Sequence, residues 1–220
     1  MTAPLLFLAA LPEEAEAVRA VLPDLAPAAC PGFAGWIGGG AALAVAGVGK
    51  VEAAITATAA AAALHPVALV SVGVCGAIDP ALEPGDVVLG QRVLQWDFAV
   101  AHDVVCAGDA NLLRRVAAAL PGLERAPRCR TGTIATGDYP VADAGARAEL
   151  RARLGADVAD MESAAVGRVA ARLGLPFLAV RAVSDRAGAA SLAEFRRHLP
   201  FAAASAAAVA ACLVRSEENP

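Results

Sequence analysis

The chain has 220 residues, 58% of them hydrophobic, and a formal net charge of -4. That length suits one sizeable domain with a large core, and the weakly acidic balance offers no basic surface for nucleic acid. The apolar fraction is inflated by alanine, and no stretch of about 18 apolar residues escapes a charge, Gly or Pro, so no membrane span is expected.

In chain order, 5–10 reads as a buried strand rather than a signal-peptide core, because no Lys or Arg precedes it and Pro12-Glu13-Glu14 follows at once. Residues 12–21 form a helix with Pro near its start, 41–47 a strand, and 50–64 an alanine-rich helix. Strands follow at 67–74 and, after the turn Glu83-Pro84-Gly85, at 86–94; a helix at 111–120 and a strand at 131–135 continue the rhythm. The spacing of Met161, Ala165, Val169 and Leu173 predicts a helix over 161–173 that places Glu162 in its first turn. The apolar run 177–183 reads as a buried parallel strand with Asp185 at its carboxyl end, and 200–214 as a closing helix, with 217–220 fraying. No linker, repeat or composition shift divides the chain. The expected fold is α/β: a single three-layer α/β/α domain over 1–220 with a mixed, largely parallel central sheet.

The five cysteines (Cys30, Cys75, Cys106, Cys129, Cys212) are odd in number and form no C-x-x-C pair, which fits a reducing cytoplasm rather than a disulfide framework. His65, His102 and His198 lack ligand spacing, so no metal site is expected.

Ligands of α/β sheets bind beyond the carboxyl ends of the strands. Those ends carry Glu13-Glu14, Gly47-Val48-Gly49-Lys50, Gly73-Val74-Cys75-Gly76, Thr136-Gly137-Asp138, Asp160-Met161-Glu162-Ser163 and Ser184-Asp185. The glycines leave backbone N–H groups free for oxygen atoms, but none has phosphate-loop or dinucleotide spacing, which argues against ATP and NAD. Each acid also has a plain structural reading, as a first-turn acid (Glu14, Glu162) or a cap after a strand (Asp185). Cys75 reads as a small packed residue, and Trp96, Phe98 and Tyr139 as core aromatics unless they stack on a ligand.

Taken together in that order, with Glu83-Pro84-Gly85-Asp86-Val87-Val88 and Val180-Arg181-Ala182-Val183-Ser184-Asp185, these motifs resemble the nucleoside phosphorylase superfamily, and within it the methylthioadenosine/S-adenosylhomocysteine nucleosidases. The resemblance spans nearly the whole chain. It implies hydrolysis of the N-glycosidic bond of a 5′-modified purine nucleoside, with no cofactor and a homodimeric assembly. It assigns Glu14 to activating the attacking water and Asp185 to protonating N7 of the departing adenine. Glu162 would bind ribose hydroxyls and Met161 would pack on the sugar. Asp160 belongs to the same motif, Ser184 would orient Asp185, Arg181 would border the ribose side, and Val141 beyond Tyr139 would offer backbone groups to the base. The turn Val74, Cys75, Gly76 completes the binding set.

These roles suit the chemistry. Bond cleavage puts positive charge on the ribose and negative charge on the purine, so a donor is needed at the base and anions near the sugar. Glu14 must then be ionised when it engages water, while Asp185 needs a raised pKa. Three features depart from the nucleosidase pattern: Val74 replaces a small hydroxyl residue, Pro140 beside Tyr139 replaces a stacking aromatic, and the segment 96–111 is short. The alternatives are phosphorolysis, disfavoured by the lack of arginine at the matching turns; nucleosidases acting on futalosine or an adenosyl-hopanoid; and a non-catalytic nucleoside-binding protein.

Overall fold

The computed structural model describes residues 3–30, 32–98, 105–188 and 190–215. In chain order its elements are β1 (Leu5–Ala9), α1 (Pro12–Val21), β2 (Ala26–Ala28), β3 (Gly35–Gly38), β4 (Ala41–Val45), α2 (Lys50–Leu64), β5 (Ala68–Ala77) and β6 (Val87–Gln95). They continue with β7 (Val105–Ala107), α3 (Ala110–Ala119), β8 (Cys129–Thr136), α4 (Ala144–Leu154), β9 (Val158–Asp160), α5 (Ser163–Leu173), β10 (Phe177–Asp185) and α6 (Ser191–Arg215).

Strand side chains alternate between faces, and here both faces are apolar. Leu5, Phe7 and Ala9 of β1, with Val70 and Val72 of β5 and Leu178, Val180 and Ala182 of β10, meet residues of α1, α3 and α6. Leu6 and Leu8, with Leu69 and with Phe177, Ala179 and Val183, meet α2 and α5 on the other face. The result is the expected mixed sheet between two helical layers. Ala42 and Ala44 of β4 share this face with α2, whose Ala53, Ala57, Ala60 and Ala61 are buried.

The sheet is parallel through β4, β1, β5 and β10. Beyond that it curls: β10 pairs antiparallel with β6, β6 parallel with β8, β8 parallel with β9, and β9 returns antiparallel to β5. Five strands thus form a closed ring, with β4, β3 and β2 extending from β1 on the far side of β5. Closure sets β9 beside the end of β5, with the end of β8 beside β9.

Several expectations change. The closing helix begins at Ser191, not residue 200, and Pro200 lies inside it; the charges of Arg196 and Arg197 conceal an apolar stripe through Leu192 and Phe195. By composition α6 is long enough to cross a bilayer, but it packs on β10, β5, α1 and α3 as a core helix. The sequence pattern marks neither α4, where only Leu150 is buried, nor β2, β3 and β7, and it marks β9 only by the acidic motif at its end; these strands are three or four residues long. The expected fray at 217–220 and part of the short segment 96–111 lie outside the described residues.

Candidate active site

A cavity of about 560 Å³ opens at the mouth of the strand ring. Its walls include Glu14, Val74, Cys75, Gly76, Tyr139, Val141, Asp160, Met161, Glu162, Ser184 and Asp185. One residue of the expected set is missing: Arg181 does not border the cavity but lies buried behind it. The reason is strand parity, since Arg181 shares the face of Ala179 and Val183 and is thereby aimed at the start of α5. A second correction concerns direction. β9 lies beside β5 but runs antiparallel to it, so Asp160 and Glu162 follow a strand of opposite direction rather than sharing a common carboxyl edge.

Glu14 is the third residue of α1 and only 4% exposed. Its Oε2 accepts from the N–H groups of Ala10 and Leu11, each at 2.9 Å, and its Oε1 accepts from Val74 N–H at 2.8 Å. The side chain therefore satisfies orphan donors of its own helix, as its first-turn position suggests, and also bridges to β5. Val74, which lacks the hydroxyl of the nucleosidase pattern, still contributes through its backbone. Gly73 makes the approach feasible, because a Cβ there would sit 2.4 Å from Glu14 Oε1 and 2.7 Å from Arg181 Nη1. Burial pushes the Glu14 carboxyl above its usual range, opposed by Arg181 and by the three N–H donors. The Glu14 anion depends on Arg181 and on those donors.

Arg181 anchors the acids. Its Nε donates to Asp160 Oδ2 at 2.6 Å, and its Nη2 to Ser71 Oγ at 2.8 Å and Glu162 Oε2 at 3.4 Å. Burial works against the guanidinium charge, yet Asp160, Glu162 and Glu14 hold its pKa above the ordinary value. Asp160 is saturated by this contact, by Thr136 Oγ1 at 2.5 Å and by Ser163 N–H at 3.0 Å, so it is a structural cap for α5 rather than a free acid. Glu162 sits at the N-cap of α5, one residue ahead of its first turn, and accepts from Gly49 N–H at 3.0 Å. Gly49 has φ +92°, a conformation that favours glycine. Burial pushes Glu162 up to about 7, with Asp160 and Glu14 adding to the rise and Arg181 and the Gly49 N–H opposing it. Three carboxyls thus share one buried cation.

Asp185 ends β10 and lies apart from that cluster. Its Oδ1 accepts from Ala187 N–H at 2.9 Å, and its Oδ2 lies 2.9 Å from Ser184 Oγ, which is also 3.2 Å from the carbonyl of Cys75. One hydroxyl proton serves one partner at a time. With Asp185 ionised the hydroxyl donates to it; with Asp185 protonated the hydroxyl accepts and turns to Cys75, so both states are accommodated. Burial raises the Asp185 pKa, Glu194 also raises it, and the Ala187 and Ser184 bonds and His198 oppose the rise. The buried Cys75 thiol is driven well above its ordinary pKa, first by burial, which makes it an inert wall.

Sequence reasoning missed the supports. Ser71 is the one hydroxyl in the apolar start of β5, and Thr136 also caps α5 through Ala164 N–H at 3.0 Å. Lys50 Nζ meets both Asp97 oxygens at 2.5 Å, while Asp138 accepts from Lys50 N–H and donates its own N–H to Asp97. This staple ties the loop that holds Glu162 to the loop before Tyr139. Leu192 and Phe195 reach the cavity of their own chain, joined by Leu11 and Val48. Of the aromatics, Trp96 packs in the small core around Val141 and Ala135, whereas Phe98 and Tyr139 are 45% and 68% exposed, Tyr139 at the cavity rim. Among the described residues no group of three or more His, Cys, Asp or Glu is arranged to hold a metal.

One apolar cavity thus holds the Asp185 carboxyl and, apart from it, the carboxyls grouped around Arg181. The family model of the Phosphorylase superfamily matches residues 4–216, and the chain belongs to that family. It is 34% identical over 198 residues to the 5′-methylthioadenosine/S-adenosylhomocysteine nucleosidase of Mycobacterium bovis, covering 76% of this chain and 78% of the relative. It is 32% identical over 160 residues to the aminodeoxyfutalosine nucleosidase of Campylobacter jejuni, covering 66% and 68%. The crystal structure of the Neisseria meningitidis methylthioadenosine/S-adenosylhomocysteine nucleosidase with methylthio-immucillin-A superposes with a TM-score of 0.90 at 26% identity, over 98% of this chain and 100% of the other.

Proposed function

We propose that this chain hydrolyses the N-glycosidic bond of a 5′-modified adenine nucleoside, 5′-methylthioadenosine or S-adenosylhomocysteine, and releases adenine. The observation that carries the reading is the division of the cavity's acids: Asp185 alone at one position with a raised pKa, and Glu14 with Glu162 grouped around Arg181. Asp185 protonates N7 as the bond breaks. Glu162 binds the ribose hydroxyls, its charge favouring the developing oxocarbenium ion, and Glu14 holds and deprotonates the attacking water. Met161 packs on the sugar, and Tyr139 and Val141 border the base.

Water is the acceptor in this reading. A phosphate dianion would meet Glu14 and Glu162, and the nearby guanidinium is already committed to Asp160, Glu162 and Ser71. The apolar wall of Leu11, Val48, Leu192 and Phe195 suits a thioether at the 5′ position. We also propose that 1–220 forms one domain and that the protein is cytoplasmic, the latter on its free cysteines. The homodimer is proposed on the exposed Val48, Val51 and Ile55, since Val48 also lines the cavity and a second copy there would close it. The likeness to an aminodeoxyfutalosine nucleosidase favours that branch as the second reading. Adenine release from 5′-methylthioadenosine, against release from aminodeoxyfutalosine, separates the two.

A further inference from the structure

We propose that His198 is a positioning residue for the general acid, acting through the backbone of Ser184; this rests on the reading of Asp185 as that acid. The register of β10 breaks at Ser184. Val183 pairs with Cys75 and Asp185 with Gly76, so Ser184 is an extra residue with no partner of its own on β5. On the other edge the pairing with β6 ends at Ala182, and the last bonds, between Val183 and residues 85 and 86, involve Val183 alone. Ser184 is therefore a bulge, and bulges beside active sites re-aim the side chain that follows. Here that side chain is the carboxyl of Asp185.

A bulge leaves backbone groups outside the ladder, and Ser184 is 0% exposed, so water cannot serve them. The carbonyl of Ser184 meets His198 Nδ1 at 3.0 Å. A carbonyl only accepts, so Nδ1 carries the proton. His198 thus replaces the missing strand partner. It lies one turn beyond Phe195 on α6, so the helix that walls the cavity also holds the strand end that carries the acid. β1, whose register with β4 and β5 is unbroken, needs no such device.

Loss of the donor leaves a buried carbonyl unpaired, and the bulge relaxes toward another donor, taking Ser184 Oγ and the Asp185 carboxyl with it. Substrate contacts through Glu14, Glu162 and Met161 are untouched. The test is steady-state adenine release from 5′-methylthioadenosine by His198→Ala and His198→Asn, with Asp185→Asn alongside. The Asn amide can place an N–H where Nδ1 stands. His198→Ala is expected to lower kcat about 10- to 100-fold with KM little changed, part of the usual worth of a positioned acid, and His198→Asn to restore most of it. If the alanine variant does not fold, His198→Gln, which sets its amide one atom further out, takes its place against Asn. Unchanged kcat in His198→Ala or in its Gln replacement, a KM rise as large as the kcat loss, or no recovery with Asn would overturn the proposal. An active Asp185→Asn would instead remove the reading it rests on.

Discussion

Gly73→Ala puts the geometry of the acid cluster under direct strain. The new Cβ would lie 2.4 Å from Glu14 Oε1 and 2.7 Å from Arg181 Nη1, where ordinary contact begins at 3.4 Å, so the carboxylate must retreat by about 1 Å. That movement stretches the 2.8 Å bond from Val74 N–H to Glu14 beyond hydrogen-bonding range. A displacement of about 1 Å in a reacting group costs about 100-fold in rate, equivalent to about 2.7 kcal/mol of barrier. Overpacking adds a stability loss of about 1–3 kcal/mol. Gly90→Ala is the control, because the atoms nearest its Cβ would be those of Val93, Ile134 and Ala179, at 2.8, 3.0 and 3.1 Å, none of which lines the cavity. Adenine-release kinetics with thermal denaturation should show both variants less stable but only Gly73→Ala slow. Wild-type kcat in a folded Gly73→Ala protein would refute the role of Glu14 and the tightness of its placement together.

Three further outcomes follow from the same charges. The rate should fall on the alkaline side as Asp185 loses the proton that its raised pKa retains, and on the acid side as Glu14 gains one; a pH–rate profile that keeps rising through alkaline pH contradicts the acid assignment. Glu162 binds its proton more tightly folded than unfolded, so this contribution to stability is present below pH 4.5 and lost as pH rises through about 7. Denaturant titrations at pH 5 and 8 should show a larger loss of stability in wild type than in Glu162→Gln, where Glu14 and Asp185 still contribute. Arg181→Met strands three buried carboxyls and should cost about 3–5 kcal/mol, read as a lower melting temperature; a neutral effect would mean the acids are already protonated.

The helices and central strands were legible because burial on both faces imposes continuous apolar runs, as in β1 and β10. The short strands β2, β3, β7 and β9 carry too few residues for a period to show, and α4 buries too little. The acids of the cavity were legible as strand-end motifs. Their supports were not: Ser71 sits within an apolar run, and the parity that turns Arg181 away from the cavity depends on which helices flank β10. His198 acquires its partner only through a bulge that no local pattern announces. Ring closure, which brings Asp160 and Glu162 to Glu14, arises from pairings between strands far apart in sequence.

Adenine release from 5′-methylthioadenosine by the purified protein, with and without phosphate and with Asp185→Asn in parallel, separates hydrolysis with Asp185 as the acid from the other readings. Phosphate-independent release that falls by about 100-fold or more in the variant is the expected result. Release that requires phosphate, or that survives in a folded Asp185→Asn protein, would contradict it.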